Sequence, residues 1–241
     1  MATQMTSEQS IDDIIAQGMR DQIKWLRDHV ARGLPRVGWK IGITDAVAQA
    51  KWGLTGPAVG GLAGNCAFES GADVPVRAGA IIRGEAEISI RMREDVPEGC
   101  TLRQARAAIV TLGPAIELID ISKPGGDLAT ILSHSIFHAG VVFGDEFPPE
   151  TLQKVEDYWP RAFRNGKAVR QPEPALIPED LGALVMLVAN LLPRYGEGLK
   201  AGDRIISGSF VKPMIGEPGD SMRIDFGALG KVELRVVTKA S

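Results

Sequence analysis

The sequence is poor in cysteine and has no concentration of basic charge. Cys66 and Cys100 are its two cysteines, and because small oxidised scaffolds usually carry more, we expect both to be reduced rather than paired in a disulfide. The 27 basic and 30 acidic residues are scattered and give a net charge of -3. Nucleic acids and anionic membranes require a concentrated basic surface, so we expect neither as a partner.

The sequence also has little that would direct the chain to a membrane. Its first six residues are polar and lack the basic-then-apolar order of a signal peptide. The longest apolar stretch, residues 181–192, is too short to span a bilayer and contains Gly182 and Asn190. With 44% hydrophobic and 24% charged residues, the composition is typical of a globular chain. We expect a cytoplasmic protein.

What the sequence does contain is a helical start followed by strand patterns. Apolar residues recur at three- and four-residue intervals across residues 7–32, which predicts a helix. Gly33 and Pro35 end that pattern, and most later segments alternate as strands do. We therefore predict an α+β fold whose core is a curled, mostly antiparallel sheet, with a helical N-terminal arm at 1–36 and one further domain at 37–241.

Three further segments bear on where a site would lie. Residues 53–80 are rich in Gly, Ala and Pro and are predicted to form a long loop, a kind of segment that is usually functional. Thr101 begins a capping-box pattern for a helix, which Gly113 and Pro114 are expected to end. Residues 84–93 alternate between apolar and polar residues, which predicts a strand with one apolar face.

Three glutamates fall within predicted strands. Glu85 and Glu87 are two residues apart, so both carboxylates leave the same face, and Glu117 lies in an apolar strand where an unpaired carboxylate is costly. Carboxylates gathered in a partly buried place repel one another unless a cation binds, and Mg²⁺ or Mn²⁺ prefers such oxygen ligands. The spacing alone also fits a solvated face paired with Arg91 and Arg93, with another arginine at Glu117.

Four short motifs occur in an order that is specific when they are taken together. They are GWKIGIT at 38–44, EAE at 85–87, GPAIE at 113–117, and a closing run of GS at 208–209, PGD at 218–220 and GALG at 227–230. With these motifs the chain resembles, from about residue 37 to its end, the 2-keto-4-pentenoate hydratase / 2-oxo-3-hexenedioate decarboxylase family. That family is a branch of the fumarylacetoacetate-hydrolase-like superfamily. The resemblance implies a β-roll of mixed, mostly antiparallel strands with flanking helices, in a catalytic domain at 37–241, and a homo-oligomer.

The resemblance also assigns roles to individual residues. It implies metal ligands at Glu85, Glu87 and Glu117, with Mg²⁺ or Mn²⁺ as the cofactor, and a substrate-binding position at Ser209. The family's lysine falls on Lys40, which would hold the substrate carboxylate or move a proton, helped by the lowered pKa that a lysine can have in a dry pocket. The strand pattern alone also fits a surface lysine there.

The implied activity is that of a lyase acting on a small 2-oxo acid or its enol. A divalent metal chelating the 2-oxo and carboxylate oxygens would act as a Lewis acid and stabilise the enolate. Our first expectation is hydration of a 2-hydroxy-2,4-dienoate to a 4-hydroxy-2-oxo acid, as in aromatic-ring catabolism. Decarboxylation of a 2-oxo-3-enedioate is second, hydrolysis of a C–C bond in an acylpyruvate is third, and a catalytically reduced partner subunit is the fourth.

The sequence departs from the family in three places. An acidic residue of many hydratases is replaced by Ala58, and an A-D-N-A segment is replaced by residues 133–138, which include His134 and His138. Either histidine can serve as an acid or base, since imidazole titrates near neutrality, and His138 is preferred because it begins an apolar strand. A structural role for both stays open. Lys212 can contact a second substrate carboxylate, although a solvated lysine fits the sequence as well.

Overall fold

The computed structural model describes residues 10–123, 125–151, 159–170 and 172–239. Its helices are α1 (Ile11–Ala31), α2 (Ala46–Trp52), α3 (Leu102–Ala107), α4 (Leu128–Ser133) and α5 (Leu181–Leu191). Its strands are β1 (Arg36–Gly42), β2 (Ala58–Ala63), β3 (Ala67–Glu69), β4 (Ala72–Val76), β5 (Ile82–Met92), β6 (Ile109–Asp120), β7 (His138–Phe143), β8 (Arg161–Arg164), β9 (Lys167–Arg170), β10 (Arg204–Ile206), β11 (Met214–Gly216), β12 (Ser221–Asp225) and β13 (Lys231–Thr238).

The strands form two sheets, and most neighbouring strands run antiparallel. The larger sheet has the order β2-β1-β10-β5-β6-β7-β3, with β11 paired to one end of β5, and the smaller sheet has the order β4-β13-β12-β8-β9. Among the described strands, the parallel pairings are β1 with β10, β4 with β13 and β3 with β7. The predicted α+β fold with a mixed, mostly antiparallel sheet is therefore confirmed. None of the described helices is long and apolar enough to cross a membrane.

The two longest strands, β5 and β6, form the centre of the larger sheet. Their antiparallel register places Glu85 directly opposite Glu117. One face of this pair packs on the smaller sheet so closely that a Cβ added to Gly84 would lie 2.5 Å from the sulfur of Met222. Because side chains alternate along a strand, that face receives the fully buried apolar residues Ala86, Ile88, Ile116 and Leu118. The glutamates are left on the opposite face.

Helix α1 confirms the helical pattern predicted at the start of the chain, and Ser10 caps its N-terminus. Met19, Ile23 and Leu26 lie in the same apolar core as β5 and β6. The buried amide of Gln22 accepts a hydrogen bond from the N–H of Gly61 at 2.9 Å and donates one to the carbonyl of Leu132 at 2.6 Å, which fastens α1 to β2 and α4. The division of the chain at residue 36 stays a prediction.

Residues 53–80 do not form the predicted long loop, because they contain β2, β3 and β4. All six residues of β2 are buried, so its sequence lacks the polar alternation by which a strand is recognised. Its glycines are there for close packing. A Cβ added to Gly60 would lie 2.7 Å from the Cγ of Lys40.

The predicted end of the third helix is also wrong. The capping box at Thr101 is present, but α3 ends at Ala107, and Gly113 and Pro114 lie inside β6. Proline removes one backbone donor, yet the carbonyl of Pro114 still accepts a hydrogen bond from Gly144 N–H at 2.8 Å. A Cβ added to Gly113 would lie 2.5 Å from the Asp145 carbonyl oxygen, so a close backbone approach explains the glycine.

Candidate metal centre and active site

The three predicted glutamates come together at the middle of the larger sheet. One carboxylate oxygen from each of Glu85, Glu87 and Glu117 lies within 4.8 Å of the others. Glu87 and Glu117 are fully buried, and Glu85 is partly buried. The alternation of β5 and the direct pairing of Glu85 with Glu117 produce this cluster.

Lys40 reaches the same cluster from β1. Its Nζ lies 2.5 Å from Oε1 of Glu117 and 3.3 Å from the carbonyl oxygen of Ile136, and the residue is 1% exposed. The sequence alone left a surface position open for this lysine, and the structure excludes it. Two of the three N–H donors of the ammonium are used by these contacts, so one remains.

Mutual repulsion and burial set the charges of the cluster. Burial, together with the carboxylate of Glu117, raises the pKa of Glu85 to about 7, and the pKa of Glu87 is raised further for the same reasons. Burial acts in the same direction on Glu117, but Lys40 and His138 outweigh it and hold the pKa of Glu117 below its ordinary value. Glu117 is therefore the ionised member in the absence of a further cation.

The predicted lowering of the Lys40 pKa is wrong. Burial would lower this pKa, but the combined charges of Glu117, Glu85 and Glu87 outweigh burial, and the pKa of Lys40 is raised above its ordinary value. When no metal ion is bound, the ammonium group is thus a cation in the cluster rather than a base.

His138 lies at the start of β7 and contacts the same oxygen as Lys40. Its Nδ1 is 2.7 Å from Oε1 of Glu117, and the residue is 6% exposed. Burial lowers the pKa of His138 despite the neighbouring carboxylate, so the ring is neutral near pH 7. Because an ionised carboxylate only accepts hydrogen bonds, we assign the proton to Nδ1, which leaves the lone pair on Nε2.

Two buried carboxylate oxygens in this cluster are left without partners. Oε2 of Glu87 accepts a hydrogen bond from Gly208 N–H at 2.8 Å, but Oε1 of Glu87 and Oε2 of Glu117 have no hydrogen-bond partner among the described residues. Unsatisfied buried oxygens are costly, and oxygen ligands converging from three carboxylates suit Mg²⁺ or Mn²⁺. The residues present therefore fit a divalent metal ion.

The turn before His138 is strained. Ser135, Ile136 and Phe137 have φ angles of 50°, 55° and 64°, and left-handed backbone costs an L-residue roughly 1–2 kcal/mol. Three such residues in succession persist only where the surroundings impose the conformation. This turn places the carbonyl oxygen of Ile136 beside Nζ of Lys40 and the imidazole of His138 beside Glu117.

The other predicted site residues do not contact the three carboxylates among the described hydrogen bonds and ion pairs. Ser209 lies beside β5, where its hydroxyl accepts a hydrogen bond from Ala86 N–H at 3.2 Å and donates one to the carbonyl of Val211 at 2.7 Å, and its role in substrate binding stays a prediction. His134 is exposed, and its Nδ1 lies 2.9 Å from the carbonyl oxygen of Thr130. The Lys212 side chain is 71% exposed and forms an ion pair with Glu173 at 3.1 Å, so it does not lie beside the glutamates.

A cavity of about 620 Å³ begins beside His138. Its lining includes His134 and Ser135, and also four charged residues that the sequence did not single out: Arg77, Asp120, Lys123 and Lys239. The only sequence signal for this group was the run Asp120 to Lys123 directly after an apolar strand. Arg77 and Lys239 come from distant parts of the chain, and only folding brings them here.

Comparison with known proteins places this geometry in context. No family model matches the chain. The chain is 29% identical over 227 residues to the 2-oxo-hept-4-ene-1,7-dioate hydratase of Escherichia coli, covering 90% of this chain and 84% of that protein. It is 27% identical over 209 residues to a 4-oxalocrotonate decarboxylase of a Pseudomonas species, covering 84% and 79% respectively.

A solved structure agrees with these two relatives. The 4-oxalocrotonate decarboxylase from Pseudomonas putida G7, complexed with magnesium and adipate, superposes with a TM-score of 0.81 at 26% identity, covering 95% of this chain and 87% of that one. The fold is that of the fumarylacetoacetate-hydrolase-like superfamily. In sequence, the chain is similar to hydratases and decarboxylases of 2-oxo acids, as its four motifs predict.

Proposed function

We propose that this chain is a divalent-metal-dependent lyase that hydrates a 2-hydroxy-2,4-dienoate to a 4-hydroxy-2-oxo acid, with Mg²⁺ or Mn²⁺ as the metal. The observation that carries the proposal is the buried cluster of Glu85, Glu87 and Glu117 around Lys40, with two carboxylate oxygens unpartnered. The names of the relatives, which include hydratases of 2-oxo-enoates and dienoates, support the reaction class.

The metal would be held by Glu85, Glu87 and Glu117. A bound divalent cation supplies a Lewis acid to the 2-oxo and carboxylate oxygens of the substrate. The N–H of the Lys40 ammonium that is not used by Glu117 or Ile136 can donate to the substrate carboxylate. Lys40 thus orients the substrate while keeping Glu117 ionised for the metal.

His138 supplies the proton-transfer group in this proposal. Its neutral ring lines the cavity, and its Nε2 has no hydrogen-bond partner among the described residues. Nε2 can take the proton of the enol hydroxyl and return it to the far carbon of the dienol, which gives an α,β-unsaturated ketone. Water then adds to that ketone. This role would compensate for the acidic residue that is missing at Ala58, a buried position in an apolar cluster.

The second candidate is decarboxylation of a 2-oxo-3-enedioate. The cations of the cavity favour it, because this substrate carries a second carboxylate, and several relatives are named 4-oxalocrotonate decarboxylase. The same stabilised enolate would serve both reactions, since breaking the C5–C6 bond with loss of CO₂ leaves an electron pair on C5, which the C3–C4 double bond conjugates to the 2-oxo oxygen as a dienolate.

The test is to incubate the purified protein and Mg²⁺ with 2-hydroxypenta-2,4-dienoate and 2-oxo-3-hexenedioate, and to follow the product masses. Gain of water on the dienoate supports the hydratase, and loss of CO₂ from the enedioate supports the decarboxylase. Glu87→Gln should abolish either reaction, whereas Lys212→Met, which removes a surface charge, should not. If neither mass changes with or without metal, both lyase proposals fail, which leaves the C–C hydrolase and the catalytically reduced subunit.

A further inference from the structure

We propose that the cavity beside His138 selects a dicarboxylic substrate, binding its second carboxylate through Lys123 and Lys239. This inference rests on the proposed function, because it assumes that the first carboxylate lies at the glutamate cluster. It assigns a recognition role to residues that the sequence motifs do not include, and it moves that role away from Lys212.

His138 connects the cavity to the glutamate cluster. Its imidazole contacts Glu117, while its backbone carbonyl accepts a hydrogen bond from Nζ of Lys123. One residue therefore separates the proposed metal site from the Lys123 ammonium. That contact uses one of the three N–H donors of Lys123, and two remain for a ligand.

The charges in the cavity are not balanced. Arg77 forms an ion pair with Asp120 at 3.1 Å, so these two neutralise each other. Within the described parts of the chain, neither Lys123 nor Lys239 has a carboxylate at ion-pair distance. Burial lowers the pKa of Lys123 more than Cys66 and Asp120 raise it, as expected for an ammonium that lacks a contacting anion.

The remaining lining fits a hydrocarbon chain between two carboxylates. Apolar groups occupy much of the wall, among them Trp25, Phe68, Val76, Ala80 and Ile82. A substrate with a carboxylate at each end would place one at the glutamate cluster, its carbon chain along these groups, and the other at the lysines. A monocarboxylic substrate would leave both ammonium groups without a carboxylate partner, and the partly buried Lys123 would then be poorly solvated.

Binding of unreactive acids tests the inference without turnover. With Mg²⁺ present, calorimetry would compare adipate, a six-carbon dicarboxylate, with hexanoate, the monocarboxylate of the same length. We expect the wild-type protein to bind adipate at least about tenfold more tightly, since a charge-assisted hydrogen bond in a partly buried site contributes on this order. Lys123→Met and Lys239→Met should each remove most of that preference.

Three further variants separate recognition from structural damage. Lys123→Met also removes a hydrogen bond to His138, whereas Lys239→Met removes no hydrogen bond or ion pair found among the described residues. Lys123→Arg keeps the charge and should restore the preference. Lys212→Met and Lys167→Met remove exposed lysines elsewhere and should leave the adipate-to-hexanoate ratio unchanged.

Several results would overturn the inference. Equal binding of adipate and hexanoate by the wild-type protein would do so, as would failure of adipate to bind. Loss of the preference in Lys212→Met but not in Lys239→Met would return recognition to the surface lysine. An adipate preference in a protein that proves inactive on both lyase substrates would support the dicarboxylate site and reject only the proposed reaction.

Discussion

Two ionic clusters include residues of the larger sheet, and they differ in how their charges are balanced. In the first, Arg36 contacts Asp203 at 2.8 Å and Glu197 at 3.1 Å, and Glu197 is also paired with Arg27 at 2.6 Å. All four carboxylate oxygens accept hydrogen bonds, one of them also from Lys200 N–H. Two guanidinium groups thus neutralise two carboxylates.

The second cluster is the one at Glu117. Three carboxylates there share one ammonium, that of Lys40, and a neutral imidazole. Two of their oxygens accept no hydrogen bond from the described residues. The comparison shows how a structural cluster can be told from a binding site. The carboxylates of the Arg36 cluster are neutralised by arginines of the same chain, whereas the Glu117 cluster leaves carboxylate oxygens available to a cation from outside.

The largest effect is expected for Glu87→Gln, which removes one carboxylate and keeps its shape. Loss of a residue that only supports a metal ligand costs about 10–100-fold in affinity, so loss of a ligand should weaken Mg²⁺ binding by more than about hundredfold and abolish turnover. The melting temperature of the metal-free variant should be unchanged, because the raised pKa of Glu87 already keeps this carboxyl protonated when no metal ion is bound. Metal titration and thermal melts check both parts, with Glu233→Gln on the exposed face of β13 as control. Unchanged metal affinity in Glu87→Gln would contradict the interpretation of the Glu117 cluster as a metal-binding site.

Arg36→Met should do the opposite of Glu87→Gln: it should lower the stability of the fold and leave metal affinity unchanged. It leaves Asp203 buried without its guanidinium, and breaking a buried pair costs several kcal/mol. Because the Arg36 side chain is 19% exposed, we expect a smaller loss of about 2 kcal/mol in the free energy of unfolding. Denaturant melts measure this loss, and Mg²⁺ affinity should not change. A change in affinity without a loss of stability would contradict the structural role of the Arg36 cluster.

The melting temperature of the metal-free protein should depend on pH, because the pKa of Glu85 differs between the folded and unfolded states. The folded-state pKa of Glu85 is raised to about 7 from an ordinary 4.5, so the folded state binds the proton more tightly than the unfolded state. The resulting stability is fully present below about pH 4.5 and is lost as the pH rises through about 7. Between pH 6 and 8 the melting temperature should fall by a few degrees, since about 1 kcal/mol corresponds to about 2–4 °C in a chain of this size.

Two controls accompany this pH series. Saturating Mg²⁺ should reverse the trend, because a cation binds the ionised carboxylates and competes with protons. Glu85→Gln should flatten it. A melting temperature that rises with pH in the metal-free protein would show that Glu85 is already ionised at pH 6.

The smallest effect on stability is expected from breaking a solvent-exposed ion pair. Arg235 and Asp73 are 2.7 Å apart, with side chains 60% and 51% exposed. Exposed pairs contribute about 0–1 kcal/mol, so Arg235→Ala should change the free energy of unfolding by less than about 0.5 kcal/mol. A larger loss would mean that exposure is a poor guide to how much an ion pair contributes in this protein.

Local patterns in the sequence were enough to predict much of the site. The alternation of residues 84–93 placed Glu85 and Glu87 on one face, and the apolar run around Glu117 predicted its burial. The same kind of signal failed at β2, whose small residues are buried on both faces. It failed at Pro114 because nothing local reveals that a proline in a strand keeps its carbonyl partner.

Long-range contacts account for the rest of what was missed. Lys212 was the expected partner for a second carboxylate, yet Lys123 and Lys239 line the cavity, and they come from segments more than a hundred residues apart. The raised pKa of Lys40 also depends on three carboxylates from two other strands. No spacing along the chain predicts such a sum of distant charges.

The alternation of β5 and β6 also limits how the gene can change. Each strand supplies core packing from one face and carboxylates of the proposed metal site from the other. Inserting or deleting one residue would exchange the faces beyond that point, moving carboxylates into the apolar core and isoleucines into the site. A substitution in these strands affects either the core face or the site face. A change in strand length would disrupt both the core and the site. We expect homologous proteins to vary in the length of their loops and not in the length of this pair.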